Sequence, residues 1–309
     1  MKEWSILYGL WERICAASHC NTTSYTASDN WALEVKALSS MNISFETTLH
    51  YLYQECPSAE AFKTWLLQRQ IKTTDEQEEF LNEVLSSDDI LFWQTNGYIV
   101  LKEAIPKQQC LDAQQAIWNF LGASPDVPAS WYTSHEKKSG LMLQFFDHPA
   151  LNINRQSKRI QKAYEQLYGT TNIYKTIDKV SFNPPETSDF HFKGNSLHWD
   201  VSLALPIPNQ YQGLLYLTDC EENDGAFHCV PGFHRTLEHW LNTLPADVNP
   251  RDIAPSMLKP QPVTGKAGDF IIWHQALPHC ATSNHGIRPR LVQYLTYINE
   301  NIIAHTEWK

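Results

Sequence analysis

The chain has 309 residues, of which 42% are hydrophobic, 19% charged and 12% aromatic. This composition is typical of a folded globular protein and excludes disordered, collagen-like and coiled-coil architectures. The 34 acidic and 24 basic side chains give a formal net charge of −10, which disfavours partners such as nucleic acid or an anionic membrane surface.

No run of residues approaches the roughly 20 apolar positions that a membrane helix needs. Glu3, Glu12 and Arg13 interrupt the first apolar residues, so we expect no signal peptide. The seven cysteines are odd in number and include no C-x-x-C pair, which argues against a disulfide framework and a thiolate zinc site. They predict free, mostly buried thiols and a cytoplasmic location.

Residues 1–85 have the pattern of a small helical extension. Apolar side chains over 4–15 recur at three- and four-residue spacing, which predicts one amphipathic helix. Ser44 and Ser58 each precede another helical window and are good N-cap residues. The charged run at 73–83 predicts a solvated linker or helix face.

The pattern changes in residues 86–309, which predict a separate, mainly β domain with flanking helices. A short helix, an Asn-Gly turn at 96–97, a strand at 98–101 and a helix at 107–121 come first. Six or more short strands at intervals then favour a sandwich or jelly roll. Their segments are TIDKVSFNPP, LHWDVSLALPIP, GLLYLTDC, AFHCVPG, GDFIIWHQ and RLVQYLTYI.

A candidate metal site begins at His198 and Asp200, which lie two residues apart on a predicted strand and therefore point to the same face. His274, His279 and His285 are the candidates for a third ligand. Two imidazoles and one carboxylate on one side of a metal leave positions open, an arrangement that suits Fe(II). An H-x-D pair alone is a weak signal in a chain with 13 histidines.

The residues that follow make the signal specific. The turn at 222–235, ENDGAFHCVPGFHR, comes after the H-x-D pair, and Arg290 stands eleven residues beyond His279. In this order the chain from about residue 88 resembles the phytanoyl-CoA dioxygenase family of Fe(II)- and 2-oxoglutarate-dependent oxygenases. Phe233 stands where the family usually has Ser, a departure outside the metal site.

The resemblance implies a double-stranded β-helix core, that is, a jelly roll of the cupin-like type, preceded by the small helical segment. It implies that the catalytic centre is an iron held by His198, Asp200 and His279. His274 is the fallback third ligand, since it lies within a predicted strand and is as easily a packed core histidine. His285 is interpreted as a loop residue.

In this family an arginine at the position of Arg290 binds the distal carboxylate of 2-oxoglutarate, a task suited to a planar guanidinium. Arg288 is the competing candidate. Lys179 matches a family position that approaches the co-substrate, although an exposed strand lysine is an equal interpretation. A hydroxyl that often assists in relatives is replaced by Ala281, so Thr282 or Ser283 is the candidate substitute, or the contact is missing.

The function implied is that of a dioxygenase that hydroxylates a C–H bond of a small molecule, using O2 and 2-oxoglutarate and releasing succinate and CO2. Relatives that halogenate lack the carboxylate, so Asp200 favours hydroxylation. The alternatives are a metalloenzyme of the same fold that does not use 2-oxoglutarate and a non-catalytic binding module. Segment 182–196 is a candidate lid, and the substrate itself stays open.

Overall fold

A computed structural model describes residues 3–19, 30–70, 82–192, 194, 196–302 and 307–309. The chain forms two compact units, one of Met1–Phe80 with Tyr174–Asp178 and one of Leu81–Ile173 with Lys179–Lys309. The division into domains after residue 85 stays a prediction. Most of the predicted linker at 73–83 lies outside the described residues.

The first unit contains the helices α1 (Trp4–His19), α2 (Trp31–Ser40), α3 (Phe45–Glu55) and α4 (Ala59–Arg69). Both predicted caps are confirmed, because the Ser44 hydroxyl accepts from the amide of Thr47 at 3.4 Å and the Ser58 hydroxyl accepts from that of Ala61 at 3.2 Å. Apolar residues of the four helices form one core that includes Leu7, Leu10, Leu38, Phe62 and Leu66.

The helices of the second unit are α5 (Ser87–Asn96), α6 (Lys107–Leu121), α7 (Pro149–Asn154), α8 (Lys158–Tyr168), α9 (Leu237–Thr243) and α10 (Pro250–Met257). Gly97 ends α5 in the left-handed region at φ 74°, where glycine carries no steric penalty. None of the described helices is long and apolar enough to cross a membrane. Cys20 lies outside the described residues, and the six described cysteines are free thiols.

The strands are β1 (Tyr98–Leu101), β2 (Lys138–Ser139), β3 (Met142–Leu143), β4 (Ile173–Lys175), β5 (Val180–Asn183), β6 (Tyr211–Tyr216), β7 (Phe227–Cys229), β8 (Gln261–Val263), β9 (Phe270–His274), β10 (His279–Ala281), β11 (Arg290–Tyr294) and β12 (Tyr297–Asn299). An antiparallel seven-stranded sheet has the order β1-β9-β6-β11-β5-β3-β2, and a smaller sheet has the order β10-β7-β8. The predicted strand at 98–101 and helix at 107–121 are confirmed.

One apolar core lies between the two sheets. It combines alternate residues of the large sheet, such as Leu214 and Ile271, with Phe227 and Cys229 of the small sheet. The other face of the large sheet packs against α6 and α8. This is the predicted jelly roll, and its inner faces determine which side chains can meet in the interior.

The predicted strand at 197–208 is wrong except at one residue. His198 forms an isolated antiparallel bridge, and no strand pairing continues from 199 to 210. The backbone groups find other partners: the amide of Leu203 donates to the Lys309 carbonyl and that of Ala204 donates to the Ser202 hydroxyl. The predicted alternation holds over 197–200, where Leu197 and Trp199 are buried and His198 and Asp200 are not, but it produces no ladder.

Candidate active site

The site begins with a backbone bridge between the two predicted histidine ligands. The amide of His198 donates to the carbonyl of His279 at 3.0 Å, and the amide of His279 donates to the carbonyl of His198 at 2.9 Å. Directly opposed residues of an antiparallel pair project to the same face. The centroids of the two imidazole rings are accordingly 4.7 Å apart.

Asp200 completes the group. Its Oδ1 lies 3.4 Å from Nε2 of His198, and its Oδ2 lies 3.2 Å from Nε2 of His279. One ligand atom from each of the three side chains lies within 4.8 Å of the others. The side chain of His279 is 7% exposed and that of Asp200 is 48% exposed, so the group opens towards solvent on the side of the carboxylate.

Hydrogen bonds fix which nitrogen of each imidazole faces the centre. Nδ1 of His198 lies 2.7 Å from the carbonyl oxygen of Ser196, and Nδ1 of His279 lies 3.1 Å from that of Leu277. A carbonyl can only accept, so each Nδ1 carries a proton and Nε2 is the nitrogen of each ring that faces Asp200. A carbonyl partner of this kind orients metal-binding histidines in general.

Contacts within the group shift the pKa values of Asp200 and His198. Burial alone raises the pKa of the Asp200 carboxyl, but hydrogen bonds from His198 and His279 outweigh it and hold the pKa well below its usual range. Burial lowers the pKa of His198, yet its contacts with Asp200 and the Ser196 carbonyl raise it overall. The carboxylate is therefore ionised at neutral pH and ready to bind a cation.

Gln212 supports this carboxylate and was not recognised in the sequence. Its Nε2 donates to Oδ2 of Asp200 at 2.9 Å. It lies opposite Trp273 in the pairing of β6 with β9, so its side chain points into the space between the sheets. The detectable signal was its position two residues before the apolar Leu214, which places both side chains on the same face of the strand.

The fallback ligand His274 does not join the group. Its neighbour Trp273 faces the core between the sheets, so His274 points to the opposite face of β9. There Nε2 lies 3.1 Å from Oδ1 of Asn209 and Nδ1 accepts from the amide of Ala276 at 2.9 Å. Burial and the neighbouring His234 lower the pKa of His274 to about 4.

His285 also lies away from the group. Its side chain is exposed, and its Nδ1 lies 3.8 Å from the carboxylate of Glu186. The Glu186 carboxylate accepts from the amide of Phe192 at 2.7 Å, and this contact in particular holds its pKa below the usual range. His285 thus belongs to the loop that borders segment 182–196.

Arg290 is the first residue of β11 and is 2% exposed. Its Nη1 donates to the carbonyl of Gly225, while Nε and Nη2 are buried and have no hydrogen-bond partner. Two unpaired donors on one edge of a buried guanidinium match the two oxygens of a carboxylate. The competing candidate Arg288 is exposed.

Two residues of β5 were missed in the sequence and lie on the same inner face as Arg290. Asn183 is the direct partner of Arg290, and Ser181 is the partner of Val292. Oδ1 of Asn183 and Oγ of Ser181 are buried without a hydrogen-bond partner. Buried polar groups are nearly always paired in folded proteins, so a group of such atoms on one face indicates a polar ligand.

The turn at 223–225 requires glycine at its last position, Gly225. Its φ is +75°, and a Cβ atom there would lie 2.3 Å from Nδ2 of Asn183 and 2.9 Å from the carbonyl oxygen of Thr282. Only glycine lets the turn approach closely enough for its carbonyl to accept from Arg290.

Lys179 lies on the same face of the chain as Ser181 and Asn183 but four residues before Asn183, about 13 Å along an extended strand. Its carbonyl accepts from the amide of Tyr294, at the other end of β11 from Arg290. Its role in binding a co-substrate therefore stays a prediction, and the unpaired atoms favour Asn183 and Ser181 for that role.

Thr282 and Ser283, the two residues predicted to substitute for the hydroxyl, both contact neighbouring groups. Thr282 accepts from Nδ2 of Asn183 at 3.0 Å through its backbone carbonyl. The Ser283 side chain hydrogen-bonds the carboxylate of Glu186.

A cleft of about 610 Å³ borders the segments next to the two histidines. Ser196 and Ala281, each two residues from a histidine of the group, contribute to its wall. The other lining residues among those described are Phe192, Gly194, Glu222, Asn223, His228, Cys280, Thr282, Ser283 and His285.

Comparison with known proteins places this arrangement in a family. Residues 93–292 match the profile of phytanoyl-CoA dioxygenase (PhyH). The chain is 31% identical over 262 residues to a protein of Dictyostelium discoideum named "Putative phytanoyl-CoA dioxygenase", a match that covers 66% of this chain and 73% of that protein. It is 20% identical over 234 residues to the ectoine dioxygenase of Bordetella bronchiseptica, covering 70% and 76%.

A similar fold occurs in the crystal structure of SnoK, a non-heme α-ketoglutarate-dependent carbocyclase from nogalamycin biosynthesis. The TM-score is 0.52 and the identity 18%, with 72% of this chain and 87% of SnoK covered. The jelly-roll fold and the His-Asp-His group are those expected from the family match over residues 93–292. The chain therefore belongs to the phytanoyl-CoA dioxygenase family of Fe(II)- and 2-oxoglutarate-dependent oxygenases.

Proposed function

We propose that this protein hydroxylates a C–H bond of a small molecule. Substrate, O2 and 2-oxoglutarate would give the hydroxylated product, succinate and CO2, with one oxygen atom of O2 in the new hydroxyl and the other in succinate. The observation that carries the proposal is the pairing of an open His198, Asp200 and His279 group with a buried Arg290 whose Nε and Nη2 have no partner.

The donor atoms suit iron. Two imidazole nitrogens and one carboxylate oxygen from one side are the ligand set of non-heme Fe(II) oxygenases, whereas structural zinc sites are closed by four protein ligands. When bound, iron and 2-oxoglutarate together supply the oxidising power for the reaction. The residues of the chain hold these groups and orient them.

Arg290 supports binding of the distal carboxylate of 2-oxoglutarate, because its free edge offers two parallel N–H donors inside the protein. Asn183 and Ser181 line the same face and would contribute neutral polar contacts. Burial of these groups between the sheets would exclude water from the co-substrate.

We infer that the substrate is small and carries polar groups. Seven of the eleven residues that line the cleft beside the metal group have hydroxyl, amide, imidazole or carboxylate side chains. The two curated relatives are named for different substrates, so family membership alone does not select one. A panel of small hydroxylated, amine-bearing and zwitterionic compounds, scored by succinate release above the uncoupled rate, tests this inference.

The direct test is an anaerobic titration of metal-free protein with Fe(II) and then 2-oxoglutarate. We expect a visible charge-transfer absorption when the keto acid chelates the iron, and a weaker absorption at limiting co-substrate in Arg290→Ala. Iron binding without this absorption would indicate a metalloenzyme that does not use 2-oxoglutarate. Failure to bind iron would indicate a binding module.

A further inference from the structure

Asp200 lies in a segment that the sheets do not hold. The isolated bridge ends at His198, and residues 199–210 have no strand pairing. A ligand on such a segment needs other contacts to keep its position, since a metal site depends on ligand placement to within about half an ångström.

Arg251 of α10 makes contacts on both sides of this ligand. Its Nη1 donates to the carbonyl of Trp199 at 2.7 Å, and its Nη2 donates to the carbonyl of Val201 at 2.7 Å. Nη2 also donates to the carbonyl of Lys309 at 3.0 Å. The first two acceptors are the carbonyls of the residues immediately before and after Asp200, so one planar group holds the backbone on both sides of the ligand.

The guanidinium is itself held in place. Its carbon lies 4.8 Å from the centre of the Trp308 ring, which packs against it. Arg251 is half-buried at the second position of α10, and the side chain of Asn249 caps that helix end by accepting the Arg251 amide at 3.0 Å. Because the guanidinium is held on a helix, its hydrogen bonds can keep the loop that contains Asp200 in a fixed position.

We propose that Arg251 is a positioning residue for the metal ligand Asp200. It acts through the backbone: two hydrogen bonds from one rigid fork fix the carbonyls of Trp199 and Val201, and thereby the direction in which the carboxylate points. This inference rests on the proposed function, since it takes Asp200 as a ligand of iron.

The test compares Arg251→Lys and Arg251→Met with the unchanged protein. Lysine keeps the positive charge near Asp200 but cannot reach two carbonyls with a planar fork, whereas methionine loses both charge and fork. The readouts are the dissociation constant for Fe(II) under anaerobic conditions and the visible spectrum of the Co(II) complex. Arg159→Lys is the matched control, because Arg159 donates to the Lys102 carbonyl at 3.3 Å in an exposed position.

We expect both Arg251 variants to bind Fe(II) about 10- to 100-fold more weakly, the usual cost of losing a residue that orients a ligand. The Co(II) spectrum should change in Arg251→Lys, and Arg159→Lys should match the unchanged protein on both measures. Unaltered binding and spectrum in Arg251→Lys would overturn the proposal. If only Arg251→Met were weakened, charge and not positioning would be the cause.

A second variant keeps the proposal testable if the Arg251 variants do not fold. Trp308→Leu removes the ring beneath the guanidinium and leaves both hydrogen bonds available. We expect Fe(II) binding to weaken by about twofold to fivefold, in line with a cation–π contact at a partly exposed site. No weakening in this folded variant would count against the proposal. If the unchanged protein bound no iron, the proposed function would fail and not this inference alone.

Discussion

Arg290 faces Asn183 directly across the pairing of β11 with β5, and both side chains carry buried polar atoms without a hydrogen-bond partner. A buried cationic donor beside a buried amide oxygen is costly unless a ligand completes the hydrogen bonds. The pair is therefore the most informative place to test co-substrate binding.

Replacing Arg290 with alanine should weaken binding of 2-oxoglutarate by roughly 2 to 5 kcal/mol, the cost of losing one partner of a buried charge pair. Arg290→Lys should recover only part of this loss, because an ammonium cannot bind a carboxylate in the two-pronged way. Titration of the charge-transfer absorption measures both. Arg288→Ala, a change at an exposed arginine, is the control, and equal weakening there would contradict the assignment.

Asn183→Ala should raise the dissociation constant of 2-oxoglutarate by about 3- to 10-fold, because its amide has a second N–H, besides the one that donates to Thr282, that can donate to the co-substrate. Its affinity for Fe(II) should stay unchanged, since the residue faces the co-substrate end of the interior. Lys179→Ala, four residues before Asn183 and just outside β5, should have the smaller effect. A larger effect at Lys179 would restore that residue as the co-substrate contact and remove Asn183 from it.

Removal of either His198 or Asp200 should abolish iron-dependent turnover. Alanine at these positions deletes one of three ligands, so Fe(II) should no longer remain bound through desalting, which metal analysis of the recovered protein can show. His285→Ala removes an exposed imidazole from the neighbouring loop and should retain iron. Normal turnover in His198→Ala would disprove the ligand assignment.

The lowered pKa of His274 predicts that the stability of the folded protein depends on pH. Its pKa is about 4 in the folded protein and about 6.5 in an unfolded chain, so the unfolded state binds the proton first as the pH falls. The free energy of unfolding should therefore decline from about pH 6.5 down to about pH 4, by up to roughly 3 kcal/mol from this group. Urea unfolding of the metal-free protein across this range measures the decline.

His274→Gln should flatten that part of the pH profile, because glutamine does not take up a proton. His285→Gln, at an exposed position, should leave the profile as it was. An identical slope in His274→Gln would show that other groups, including the adjacent His234, account for the decline.

Much of the site was predictable because it follows from local pattern. The two-residue spacing of His198 and Asp200 indicated a shared side, and the strand that begins at Arg290 was recognised from its own alternation. His274 could be set aside only in the structure, where the pairing of β9 shows which face carries Trp273.

The missed residues depend on contacts between distant segments. The roles of Asn183 and Gln212 can be inferred only from the residues opposite them on other strands. Arg251 lies on a helix some fifty residues beyond Asp200 in the sequence, so its contacts beside Asp200 could not be predicted. The prediction of a strand at 197–208 was wrong for the same reason. Alternation of apolar residues indicates which side chains share a face, but a strand also needs a neighbouring strand with a free edge to pair with.

The bridge between His198 and His279 affects how the chain tolerates insertions and deletions in its loops. The spacing of the two imidazoles depends on two backbone hydrogen bonds and not on the number of residues that separate them. Loops in the intervening stretch can therefore lengthen or shorten at the surface, as substrate preference changes, while the distance between the histidines is preserved.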